Sequence, residues 1–193
     1  TRHASRSAHL LAEVYQISKA EDAPEGVLLD TLRTLLPLVY DDSPQILECL
    51  ADHLTLLFAE DPPPISDLAR VGVTLNRLGI LAQYEGRAEV ATTVAVQLQR
   101  LMSFYRDQGI LSFMRRCGLD AAALFYPDHL NLSLSCLTQL KQSHRSDWEL
   151  ENLKRDARDF AADTAGSLTL QAILRAYPAA RAAFSAQDLE PGP

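Results

Sequence analysis

Apolar residues recur along this chain at three- and four-residue intervals, in one stripe after another, and no stretch alternates apolar with polar long enough to build a strand. That periodicity points to helices packed on helices. Prolines and glycines punctuate the stripes. The first is Leu10, Leu11, Val14 and Ile17, and it stops at Glu21-Asp-Ala-Pro24. Pro24 suits a first helical turn, where its missing N–H costs nothing. The next stripe runs Leu28, Leu32, Leu35 and Val39, and Pro37 should kink it or end it early. Ser43-Pro44 supplies an N-cap and then proline at the first helical position, ahead of a core face of Leu47, Leu50, Leu54 and Leu57.

Pro62-Pro63-Pro64 cannot continue a helix and predicts a stiff extended connector, the expected break between two halves. Ser66 is the expected cap of the following helix, whose stripe is Leu68, Val71, Leu75, Leu78 and Ala82, with Gly86 as a left-handed terminator. Val90, Val94, Leu98 and Leu101 form the next face, ending near Asp107-Gln-Gly109. A short helix holding Ile110, Leu111, Phe113 and Met114 should end at Gly118, with another turn or two between Leu119 and Tyr126. Leu130, Leu134 and Leu137 mark a further helix. Ser146-Asp-Trp-Glu149 has the form of a capping box, in which the serine and glutamate side chains satisfy each other's free backbone N–H groups, ahead of Leu150, Leu153, Ala157 and Phe160. Gly166 and Ser167 open a last helix through Leu170, Ile173, Leu174 and Tyr177.

Expected helix starts near residues 5, 43, 87, 128 and 167, and near 25, 66, 108 and 146, lie 38 to 44 apart. Armadillo and HEAT arrays repeat at roughly 40–47 residues. Gly109-Ile-Leu-Ser-Phe-Met-Arg-Arg-Cys-Gly118 followed by Asn131-Leu-Ser-Leu-Ser-Cys-Leu-Thr-Gln-Leu140 resembles the later helices of an armadillo repeat. Leu78-Gly79, Gly86 and Glu89-Val-Ala91 are instead similar to part of a tetratricopeptide repeat, whose aromatic and closing proline are missing here. The resemblance implies an all-α fold of stacked helical hairpins in an armadillo/HEAT-like right-handed superhelix. The alternatives are a tetratricopeptide-like array or a compact helical bundle. Residues 1–186 read as one helical-repeat domain, excised from a longer chain, and 187–193 as a disordered tail.

At 193 residues and 47% hydrophobic content the chain can bury a sizeable core. Three cysteines are too few and too odd in number for a disulfide framework, which favours free thiols and an intracellular location. Its apolar runs fall well short of the ~20 residues a membrane span needs. Residues 1–97 hold 14 Asp+Glu against 7 Lys+Arg, whereas 98–193 balance at 11 of each. An acidic half repels phosphate backbones, so no nucleic-acid role is expected there.

Candidate chemistry is sparse. Cys49 and His53 stand i,i+4 on one helix, but a structural metal site needs four ligands and no second Cys/His pair is near in sequence. Asp156, Asp159 and Asp163 line one helix face and resemble the acidic clusters of helical metalloenzymes, yet Lys154, Arg155 and Arg158 alternate with them as in a solvated ion-paired face. Leu32-Arg-Thr-Leu35-Leu36 has the L-x-x-L-L form of groove-docking helices, and in so leucine-rich a chain it reads better as core. No phosphate loop and no nucleophile elbow is present. The reading is a non-catalytic protein–protein interaction scaffold without cofactor or metal. Asp41, Asp42, Glu48 and Asp52 form its candidate exposed acidic strip, facing a basic segment of a protein partner. A helical-bundle enzyme with a divalent ion at Asp156, Asp159 and Asp163 is one alternative. An oligomerising structural domain with Phe104, Tyr105 and Phe125 between subunits is the other.

Overall fold

A computed structural model describes residues 2–126, 128–143, 146, 148, 149, 151–153 and 155. Among the described residues seven α-helices are delimited, in order α1 (Arg2–Ala20), α2 (Glu25–Leu35), α3 (Pro44–Ala59), α4 (Ile65–Tyr84), α5 (Ala88–Asp107), α6 (Leu111–Phe125) and α7 (Leu130–Ser143). A 3-10 turn, Leu36–Leu38, extends α2. The fold is all-α, and no strand occurs among the described residues. The last expected helix, from Gly166, and the tail at 187–193 lie outside them.

The chain divides into two compact units, the first ending at Glu85 and the second beginning at Gly86. This boundary lies at the end of α4, where Gly86 takes φ +72. A glycine there turns the chain out of a helix without the Cβ clash that penalises other residues. The triple proline, expected to separate the halves, instead joins α3 to α4 inside the first unit. Ser66 does not cap α4, because the helix already begins at Ile65. Its N-cap is Pro64, whose carbonyl accepts from the Asp67 and Leu68 amides at 3.0 and 3.1 Å.

In the first unit α1, α2 and α3 pack on one another, and α4 packs on α3 and the 3-10 turn. The faces expected on α2, α3 and α4 are the ones buried, from Leu28 and Leu32 through Leu50 and Leu54 to Leu75 and Leu78. Ser43 caps α3 through its hydroxyl, which accepts the Ile46 amide at 3.4 Å. Pro37 ends the α-helical hydrogen bonding of α2, as expected, and leaves the tighter turn behind it.

Helix α1 is the exception. It buries Ala8, Ala12 and Tyr15 and exposes Leu10, Val14 and Ile17, three of the four residues expected in the core, with Leu11 half-buried. Polar anchors decide its rotation. The Tyr15 hydroxyl and the Lys19 ammonium both reach Asp52 on α3, at 3.0 and 2.7 Å, while Ser5 and His9 reach Asp41, at 2.6 and 3.2 Å. Turning Leu10 and Val14 inward would break all four contacts. The small Ala8 and Ala12 meanwhile let the helix lie close to its neighbours.

In the second unit α6 packs on both α5 and α7. Burial around it is nearly complete: Met114, Cys117, Gly118, Leu119, Ala121, Ala122 and Phe125 are all enclosed. Gly118 was expected to end a short helix, yet α6 runs straight through it. A Cβ at this position would stand 2.7 Å from both Leu140 Cδ2 and Met102 Sδ. The glycine is there for the close approach of three helices. After α7 the Ser146 amide donates to Glu149 Oε2 at 2.9 Å and the Glu149 amide to Ser146 Oγ at 3.2 Å, the reciprocal capping box expected from the sequence.

Candidate functional site

The 3-10 turn and α4 flank an open hollow of about 520 Å³ on the first unit. Its apolar lining comes from Leu36 and Pro37 on the turn side and from Ala69 and Val73 on α4, with Thr74 between. Val73 points away from the buried Leu68, Val71, Leu75 and Leu78 face and is 72% exposed. Three arginines, Arg33, Arg70 and Arg77, complete the wall.

Each arginine is held differently. Arg33 is engaged by carboxylates, with Asp67 at 2.9 Å, Glu60 at 3.5 Å and Asp30 at 3.7 Å. Arg70 is largely exposed and, among the described residues, pairs with the far oxygen of Asp67, at 3.9 Å. Arg77 donates to the Val39 carbonyl and lies 5.3 Å from the centre of the Tyr40 ring. Among the described residues both of its contacts are to neutral groups, which orient its charge without cancelling it. An apolar strip flanked by Arg70 and Arg77, seven residues apart on one helix face, can seat an apolar side chain and receive carboxylates on either side of it.

The acidic strip has a different geometry from the one its spacing suggests. Asp42 is 3% exposed. Asp41 accepts hydrogen bonds from Ser5 and Ser43 and pairs with His9; burial works to raise its carboxyl, but these three contacts outweigh burial and hold it below its ordinary value. Asp52 is half-buried between Tyr15 and Lys19. Its hydrogen bond is the leading reason the Lys19 ammonium is raised, and burial and then Asp52 raise Tyr15. Glu48 alone of the four is an exposed residue. The geometry makes Asp41 and Asp52 fastenings of α1 to the body of the unit.

Most of the remaining candidates that are described lie in the core. His53 and Cys49, the i,i+4 pair, are both buried, His53 at 1% exposure. Leu32, Leu35 and Leu36 of the L-x-x-L-L segment are buried. Tyr105 and Phe125 are enclosed within the chain, Tyr105 stacking on Phe113 at 5.2 Å, and Phe104 is half-buried beside them. Asp156, Asp159 and Asp163 lie outside the described residues. Among the described residues no three His, Cys, Asp or Glu side chains approach closely enough to hold a metal ion. No helix among them is long and apolar enough to cross a membrane. A second hollow, about 440 Å³ between α5 and the end of α7, is polar, lined by Arg106, Gln139, Gln142 and Glu149.

Sequence reasoning passed over Arg33, Arg70, Val73 and Arg77. The signal was present on α4, where Val73 and Ile80 fall out of phase with the core stripe and Arg77 falls between them.

No protein-family model matches the chain, and neither the curated proteins nor the solved structures return a match.

Proposed function

We propose that this chain is a non-catalytic protein–protein interaction module, and that the hollow between the 3-10 turn and α4 holds a segment of its partner. The observation that carries the reading is the apolar strip centred on exposed Val73 between Arg70 and Arg77. Pockets that accept one apolar anchor within a ring of orienting charges are how interfaces concentrate their affinity. The complementary segment carries a large aliphatic or aromatic side chain flanked by Asp or Glu. This replaces a basic segment at Asp41, Asp42, Glu48 and Asp52, because most of that strip is engaged within the chain. The assignment to the armadillo/HEAT type belongs to the same proposal, supported by helices that pack mainly on sequence neighbours. So does an intracellular location, supported by three free cysteines.

The test is fluorescence anisotropy at physiological ionic strength with three labelled helical peptides. One presents Leu and Phe at i and i+4 flanked by glutamates, the second has those glutamates replaced by lysine, and the third has the apolar pair replaced by alanine. The first should bind, and Arg70→Glu or Val73→Asp should each weaken it by about tenfold, the loss expected for one well-placed contact. The other two should bind at least that much more weakly to the unaltered protein. Equal binding of the lysine peptide, or indifference to both substitutions, would refute the site.

A further inference from the structure

A different face of the first unit is apolar and held outward. Leu10, Val14 and Ile17 are 56, 49 and 58% exposed and stand at i, i+4 and i+7, in line along α1. The contacts of Tyr15 and Lys19 with Asp52, and of Ser5 and His9 with Asp41, lock the helix in that rotation. The same line continues to exposed Arg6 at one end and exposed Glu21 at the other. Neither side chain has a hydrogen-bond or ion-pair partner among the described residues.

We propose that this face docks on the same face of α1 in a second copy of the chain, with the two helices antiparallel. The sequence spacing is symmetric about a point between Glu13 and Val14. A two-fold axis there sets Leu10 of each copy against Ile17 of the other, brings the two Val14 side chains together, and sets Arg6 against Glu21 at both ends. A parallel pairing would oppose Arg6 to Arg6 and Glu21 to Glu21. Charge therefore selects the antiparallel arrangement, as flanking charges do in coiled coils, and a two-fold contact closes on itself. One helix pair buries less than the ~1,200 Å² of a standard stable interface, and Glu13 lies close to its counterpart at the axis. The dimer is accordingly weak and reversible.

Sedimentation equilibrium of the full chain at ~0.15 M salt, where charges beyond ~8 Å are screened, reads the association directly. A monomer–dimer equilibrium is expected at about 100 μM, the range of a small interface. Val14→Asp should weaken it at least tenfold. Arg6→Glu and Glu21→Arg should each weaken it about threefold, and the double swap Arg6→Glu with Glu21→Arg should restore it, since the pairs re-form with signs exchanged. These are exposed positions, so the circular dichroism and melting temperature of the monomer should stay unchanged. A chain that remains monomeric at millimolar concentration, a dimer indifferent to Val14→Asp, or a double swap as weak as the single changes would each overturn the proposal.

Discussion

His53 sits in the core of the first unit with neither ring nitrogen hydrogen-bonded among the described residues. Burial is the main force on its titration, with Asp67 favouring the charged ring and Arg33 opposing it, and the net effect lowers its pKa to about 4. An unfolded histidine titrates near 6.5. Between those values the unfolded chain takes up a proton that the folded chain refuses, so acidification favours unfolding. The contribution of this residue is fully present above pH 6.5 and falls away as the pH drops towards 4, by about 3 kcal/mol at most. Denaturant melts across that range should therefore lose stability faster for the unaltered protein than for His53→Leu. A difference between the two that stays constant with pH would refute the assignment.

At the scale of elements, Gly118 carries the tightest argument. Alanine would improve the helix propensity of α6 by about 1 kcal/mol. Against that, its methyl would fall 2.7 Å from Leu140 Cδ2 and Met102 Sδ. Overpacking of this kind costs typically 1–3 kcal/mol. Both contacts are ends of flexible side chains, so Gly118→Ala should cost about 1 kcal/mol net. Leu140→Val should cost less in that background than alone, which a thermal double-mutant cycle would measure. The helices α2 to α5 were legible because their buried stripes follow one period and Pro24, Ser43-Pro44, Gly86 and Gly109 stand at or just beyond their ends. Gly118 misled because a glycine that stops a helix and one that admits a neighbouring helix are the same letter. The stripe of α1 misled for another reason. Its rotation is set by Asp41 and Asp52, more than thirty residues away, and no local periodicity registers such distant anchors. The candidate groove was half legible, since Val73 stands out of phase on α4, while the Pro37 side of it required the fold.

At the scale of the whole chain, each unit has its own core. Leu32, Ile46, Leu50 and Leu54 centre the first, and Leu101, Met102, Met114, Phe125 and Leu140 the second. The net negative charge comes from the first unit, where residues 1–85 hold 13 Asp+Glu against 6 Lys+Arg, whereas 86–193 hold 12 of each. The arginine-walled hollow is thus a local exception in an acidic body. An acidic ligand should be accepted there by contact rather than drawn from a distance.

The cysteines are distributed over the same two bodies, Cys49 in the first and Cys117 and Cys136 in the second, and all three are buried. Burial pushes the Cys49 thiol up to about 11 and the other two to about 12. Only a thiolate attacks an alkylating reagent, so at neutral pH the native chain should be nearly inert and each sulfur should react when its surroundings open. Mass-resolved labelling with iodoacetamide would then time two separate events in one molecule. Cys117 and Cys136 should become modified together, at a rate distinct from that of Cys49. A single shared rate would mean that the two bodies breathe as one.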